Sequence, residues 1–343
     1  MPVRAAAAQF SCKIGQLADI DCVSADAEPR PPAGQHSVRR YPARNTAGSN
    51  QGEYSMIFDE KKKLNNGAEI PRLALGTWFI DDGKAAEAVR AAVKIGYRHV
   101  DTAQAYGNER GVGEGVHTAS VPREKIFVTS KVAAENKSYD SASRSIDETL
   151  ERMGLEYMDM MIIHSPQPWM EVNQSENRYF AENREVWRAL EDAAAAGKVR
   201  TIGVSNFQRE DIENILAVCK IRPAVNQVLC HISNTPLSLM EYCRSQEIAV
   251  EAYSPVAHGA ALKDPKISEL AAKYQVSVPQ LCIRYDWQLG TIVLPKTANP
   301  AHMRSNADID FTISDEDMET LKHLDKIKDY GKFGIFPVYG GKL

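Results

Sequence analysis

The chain has 343 residues, 43% hydrophobic and 25% charged, with a net charge of −4. That is an ordinary globular composition, long enough for one barrel of roughly 250 residues with additions. The charge gives no footprint for nucleic acid or an anionic membrane, and no apolar run reaches the roughly 18 residues of a membrane helix. The six cysteines form no C-x-x-C pair and the eight histidines include no H-E-x-x-H. We therefore expect reduced thiols, no metal site and a cytoplasmic location. The adjacent Cys230-His231 reads as a strand end.

Residues 1–55 differ from the rest of the chain. They are rich in Ala, Pro, Ser, Gly and Arg, as in Glu28-Pro-Arg-Pro-Pro-Ala-Gly34, without a sustained period, and are expected to be a disordered extension. Ala5 to Phe10 is too short for a signal-peptide core, and Asp19, Asp21, Asp26 and Glu28 argue against a transit peptide. Met56 stands where order is expected to begin, which suggests a reading frame opened upstream of the natural start.

From Ile57 to Leu64 and Glu69 to Leu75 run two strand-like segments around Asn65-Asn66-Gly67, a hairpin signal. Leu73 to Gly76 continues as the first strand of a larger sheet. Helix Lys84 to Ile95 leads to a strand ending at Asp101, followed by helix Glu109 to Thr118 and strand Ile126 to Lys131. Helix Ser141 to Met153 carries Ile146, Leu150 and Met153 at helical spacing, and Tyr157 to Ile163 reads as a strand, apolar apart from Asp159. After a long loop come helix Asn183 to Ala196, strand Thr201 to Ser205, helix Asp211 to Cys219, strand Ala224 to Gln227, helix Leu237 to Gln246 and strand Ala249 to Tyr253. Helices Lys266 to Tyr274 and Val278 to Leu289 precede strand Thr291 to Pro295, and Asp315 to His323 is the last helix. Counted from Leu73, eight short buried strands alternate with helices, which predicts an α/β protein with a closed (β/α)8 TIM barrel over residues 56–343. Gly111-Val-Gly-Glu-Gly115 lies inside a helix-like segment and lacks the last glycine of a dinucleotide fingerprint, so a nicotinamide cofactor would have to bind at the barrel mouth.

Four residues at or just beyond three neighbouring strand ends fit one proton-transfer device: Asp101, Tyr106, Lys131 and His164. Reduction of a carbonyl by hydride needs a proton donor beside the developing alkoxide. A tyrosine proton has a pKa of about 10, roughly 4 kcal/mol from a neutral working pH. A nearby ammonium is expected to lower that pKa, a buried Asp to pair the ammonium, and a neutral His to orient the carbonyl. Taken singly, Lys131 also reads as a strand-end surface lysine, His164 as a core histidine, and Asp101 as a helix cap.

Ser205, Asn206 and Gln227 end two adjacent strands with polar groups able to hydrogen-bond a carboxamide, and Tyr253 offers a face for a nicotinamide ring. Thr77 and Ser254 are counted with them, although Ser205-Asn206 alone also suits a helix N-cap. Trp78, Ser165, Trp169, Tyr179 and Phe180 are candidate substrate-pocket residues. The tail aromatics Tyr330, Phe333, Phe336 and Tyr339 either cover the mouth or pack elsewhere.

Gly96 to Gly113, with Arg200-Thr-Ile-Gly-Val-Ser-Asn-Phe207 and Leu294-Pro-Lys-Thr-Ala-Asn-Pro-Ala-His302, resembles the three signatures of the aldo-keto reductases, and the likeness covers residues 57–343. It implies that Asp101, Tyr106, Lys131 and His164 are the family's catalytic tetrad and that the hairpin caps the barrel bottom. It also implies that Lys296 and Thr297 hold the adenosine 2′-phosphate of NADPH and that Asn306 meets the adenine. His302 stands where the family's Arg is usual and cannot make its bidentate phosphate contact, and Arg304 is two positions on. NADPH is thus expected with weakened discrimination against NADH. The pattern is most similar to bacterial reductases of keto sugars, keto acids such as diketogluconate, and small aldehydes, acting as monomers on small molecules. Two rivals stand beside it, a Schiff-base lyase using Lys131 and a catalytically silent, cofactor-binding regulatory barrel.

Overall fold

The structure is a computed structural model that describes residues 55–172 and 174–339. The proposed disordered extension, Ser55 apart, lies outside the described residues.

The chain enters through a short helix, α1 (Ser55–Asp59), and a hairpin of β1 (Lys61–Lys63) and β2 (Glu69–Pro71). The turn has Gly67 at φ 84°, a left-handed conformation that glycine adopts without strain. Ile57 to Asp59, expected as strand, are helical. Phe58 rests on the Tyr97 ring at 5.1 Å, so burial of its side chain rather than strand pairing sets the local structure.

Eight parallel strands come next: β3 (Leu75–Gly76), β4 (His99–Asp101), β5 (Phe127–Val132), β6 (Met158–Ile163), β7 (Val199–Ser205), β8 (Val225–Leu229), β9 (Ala249–Tyr253) and β10 (Ile292–Leu294), each paired with the next. Parallel bridges from Leu73 to Val293 and from Gly76 to Lys296 join the first to the last and close the barrel. The outer ring comprises α2 (Asp82–Ile95), α3 (Glu109–His117), α4 (Tyr139–Met153), α5 (Phe180–Ala195), α6 (Arg209–Leu216), α7 (Leu237–Ser245), α8 (Pro265–Tyr274), α9 (Val278–Gln288), α10 (Pro300–Ala307) and α11 (Asp315–Lys322). Capping boxes at Ser138 and Ser277, and Asp264 before Pro265, start α4, α9 and α8 as their sequences dictate. Helix α10, not foreseen, begins on the same signal, Asn299 capping ahead of Pro300.

The barrel's lower end is mostly apolar. Leu64 and Ile70 of the hairpin pack with Met160, Ile162, Val225, Ala249 and Ile292, while Asn65 and Asn66 bond Pro223 O and Thr201 Oγ1. The hairpin therefore plugs the bottom, where His99 bonds Thr129 Oγ1 beside Pro71, and the charged interior residues Asp101, Lys131 and Glu251 lie toward the other end. The glycines of Gly111-Val-Gly-Glu-Gly115 have a packing reason: a Cβ at Gly111 would strike Asp82 O of α2, and one at Gly113 would strike Met153 O of α4. None of the described helices is long and apolar enough to cross a membrane.

Candidate active site

At the carboxyl ends of the strands, Lys131 is wholly buried, and all three of its N–H groups have acceptors. Its Nζ donates to Asp101 Oδ1 at 2.6 Å, to Asp101 Oδ2, and to Thr102 O at 2.7 Å; Tyr106 Oη lies 3.4 Å away. Tyr106 closes a short 3-10 turn, Gln104–Tyr106, that Gly107 ends at φ 70°. Buried Asn108 clamps this loop to the end of β3 through Thr77 O and Ile80 O, both at 2.9 Å, and accepts from Thr102 Oγ1 at 2.7 Å. His164, next after β6, faces Tyr106 with ring centroids 5.6 Å apart, and its Nδ1 is buried without a hydrogen-bond partner. The structure thus brings together the four residues expected to act as one device.

The electrostatics differ from expectation at one point. Burial, and next the Asp101 charge, holds the Tyr106 phenol well above its usual value rather than below it. Burial takes water from the hydroxyl, and Lys131 Nζ lies closer to Asp101 than to Tyr106 Oη, so the ammonium does not bring the phenol down in this state. Burial also raises Asp101, against the opposing pull of Lys131. Burial and the Lys131 charge hold His164 well below 6.5, a neutral ring at pH 7.

On the opposite wall Tyr253 donates to Asn206 Oδ1 at 2.7 Å, and Asn206 stands in the left-handed region at φ 61°. Ser205 and Gln227 adjoin it in paired strands. Ser254 Oγ lies 3.2 Å from His258 Nε2 and 3.3 Å from Tyr339 Oη. The Thr77 hydroxyl is engaged with Asp101 O at 2.9 Å. Lys296 is exposed just past β10, Thr297 is buried beside it, and His302 and Arg304 are exposed on α10, which also carries the buried Asn306.

Trp78 forms a wall with Tyr106 at 6.3 Å, and the tail folds onto it: Phe333 at 6.0 Å, Phe336 at 5.4 Å and Tyr339 at 6.2 Å. Tyr330 bonds His231 Nε2 at 2.9 Å. Trp169 meets the His164 ring edge-on at 4.8 Å. Ser165, by contrast, is fully buried and serves the loop, its carbonyl accepting from Lys137 at 2.9 Å. Tyr179 is bonded to Glu171, and Phe180 opens α5 on the surface, so neither joins the ring cluster at Trp78.

Sequence reading missed Glu251. It is wholly buried on β9, two residues before Tyr253, and accepts from Gln227 Nε2 at 2.9 Å. A lone charge on the same strand face as Tyr253 was the available signal. His258 was missed as well; it stacks on Phe333 at 4.1 Å, and nothing in its sequence surroundings marked it.

The profile of the Aldo/keto reductase family matches residues 72–326. Glyoxal reductase of Bacillus subtilis is 40% identical over 271 residues, covering 78% of this chain and 94% of that protein. An aldo/keto reductase of Brucella melitensis superposes with a TM-score of 0.72 at 36% identity, covering 78% of this chain and 98% of that one. A Bombyx mori aldo-keto reductase in complex with NADP has a TM-score of 0.71 at 32% identity, covering 82% and 99%.

Proposed function

The chain is a member of the aldo/keto reductase family, an oxidoreductase family, and from that premise we propose that it reduces aldehydes and ketones to alcohols, with NADPH ahead of NADH. The observation that carries this reading is the unbroken contact from Asp101 through Lys131 to Tyr106, with neutral His164 beside it.

A bound nicotinamide coenzyme would supply the hydride. The residues present suit one: an aromatic ring at Tyr253 flanked by Ser205, Asn206 and Gln227 for the carboxamide, with Lys296, Thr297 and Asn306 for the adenosine end. Tyr106 is the general acid. It keeps its proton at neutral pH and gives it up when the carbonyl oxygen gains charge. Lys131 then stabilises the phenolate left behind, while Asp101 pairs the ammonium and fixes its position. His164, being neutral, orients the carbonyl oxygen without placing a second cation beside Lys131. Trp78 and Trp169 wall the substrate. Small aldehydes and dicarbonyls head the expected substrates, supported by the likeness to a glyoxal reductase, followed by keto sugars and keto acids.

The test is loss of 340 nm absorbance with NADPH against methylglyoxal, keto sugars and aromatic aldehydes. Tyr106→Phe is expected to lower kcat by about a hundred- to ten-thousandfold with coenzyme affinity kept. Retained turnover in that variant removes Tyr106 from its role. Coenzyme binding without turnover of any substrate would favour the regulatory barrel.

A further inference from the structure

Gln227 joins the two halves of the mouth. Its Nε2 carries two N–H groups, and both are engaged inside the barrel, with Asp101 Oδ1 at 3.2 Å and Glu251 Oε2 at 2.9 Å. The Asp101 carboxylate, held by Lys131, can only accept, which sets the nitrogen end of the amide inward. Only the oxygen is left to meet a ligand.

Its neighbours are arranged alike. Ser205 Oγ donates to Gln227 O at 2.8 Å, and Asn206 Nδ2 donates to His164 O and to Ser205 Oγ, both at 3.0 Å. The three polar side chains therefore have their donors committed to the protein and offer acceptors. Such a face receives the N–H groups of a carboxamide and opposes a carboxylate.

Glu251 holds this arrangement yet touches neither Lys131 nor Tyr106 by hydrogen bond. It pairs in register with Gln227 across β8 and β9, is wholly buried, and its Oε1 has no partner. A buried carboxyl with one hydrogen bond is a costly occupant of a barrel interior that an apolar side chain would fill more cheaply. Resting on the reductase reading above, we propose that Glu251 is a positioning residue for the coenzyme's carboxamide: by accepting from Gln227 it locks the amide nitrogen inward, and so makes the site select the amide over the acid form of the ring. Without Glu251, Asp101 accepts one N–H only, and the Gln227 amide is free to turn its nitrogen toward the ligand. The charged groups near Glu251 are Asp101 on β4 and Lys131 on β5. Burial, and next Asp101, pushes its pKa up to about 8, which favours the neutral carboxyl at pH 7, the form that glutamine mimics.

The experiment measures, by fluorescence titration of the full-length protein at pH 7, the Kd for NADP+ and for its nicotinic acid analogue. Wild type is expected to favour the amide form by about tenfold or more, the scale of one exchanged hydrogen bond. Glu251→Gln is expected to keep that ratio, because its side-chain oxygen still accepts from Gln227. Glu251→Leu is expected to lower it about fivefold or more, since a turned Gln227 can donate to the carboxylate. Glu251→Met, which cannot accept either, takes its place if the Leu variant does not fold. Equal ratios in all variants overturn the proposal while leaving the reductase reading intact. A wild type that binds neither dinucleotide overturns both.

Discussion

Replacing Lys131 by Met removes one charge from a place where water cannot replace it. Lys131 is fully buried and Asp101 is 4% exposed. In the variant, Asp101 keeps a single side-chain donor, Gln227 Nε2 at 3.2 Å, and Thr102 O loses the ammonium it had at 2.7 Å. Breaking a buried pair by removing one partner costs about 3–5 kcal/mol. At about 2 °C per kcal/mol for a domain of this size, Tm should fall by about 6–10 °C at pH 7. The loss should depend on pH in a definite direction. Burial already raises Asp101 with Lys131 present, and without Lys131 the folded state binds the Asp101 proton more tightly still. A raised carboxyl pKa makes the folded state the better proton binder, so stability falls as pH rises above the unfolded value near 4. The deficit of Lys131→Met should therefore be smaller at pH 5 than at pH 8. Calorimetric scans at both pH values, with Asp101→Asn/Lys131→Met alongside, give the answer. The double variant carries no buried charge at either position and should recover at least half of the lost Tm. If Lys131→Met melts with wild type at pH 8, or if the double variant is no better than the single one, the buried-pair account is wrong.

Restoring an arginine by His302→Arg should raise the NADPH-to-NADH ratio of kcat/KM by about tenfold, while wild type stays under about a thousandfold, a span of roughly 4 kcal/mol. A wild-type ratio above that limit refutes the weakened clamp. Glu251 is raised from 4.5 to about 8, so its burial costs stability that grows as pH climbs through that window and levels off above it. Glu251→Gln is free of that titration, and its Tm relative to wild type should be higher at pH 8 than at pH 5; a constant difference would show that Glu251 does not titrate there. Gly113→Ala should destabilise by about 1–3 kcal/mol through overpacking against Met153, read as a lower urea midpoint. An unchanged midpoint would mean that α3 and α4 can separate without cost.

The alternation of strand and helix was readable from the chain alone, because period and caps act within a few residues. The strand ending at Ile163, the helix with Ile146, Leu150 and Met153 at helical spacing, and the hairpin turn before β2 all carried their own evidence. The order of Asp101, Tyr106, Lys131 and His164 at successive strand ends was legible too, since parallel strands put their carboxyl ends on one face. Other features depend on neighbours distant in the chain. Gln227 reaches Asp101 across the barrel interior, 126 positions away, while the pairing of β8 with β9 sets a second carboxyl, Glu251, against the same amide. Whether Lys131 would lower Tyr106 or be held by Asp101 turned on distances that spacing does not contain. The glycines of α3 lacked meaning until α2 and α4 lay against them, and the path of a long loop set Trp169 rather than Ser165 against the His164 ring. Local hydrogen bonding and periodicity are written along the chain; burial and electrostatics at the mouth arise only where separate strands converge.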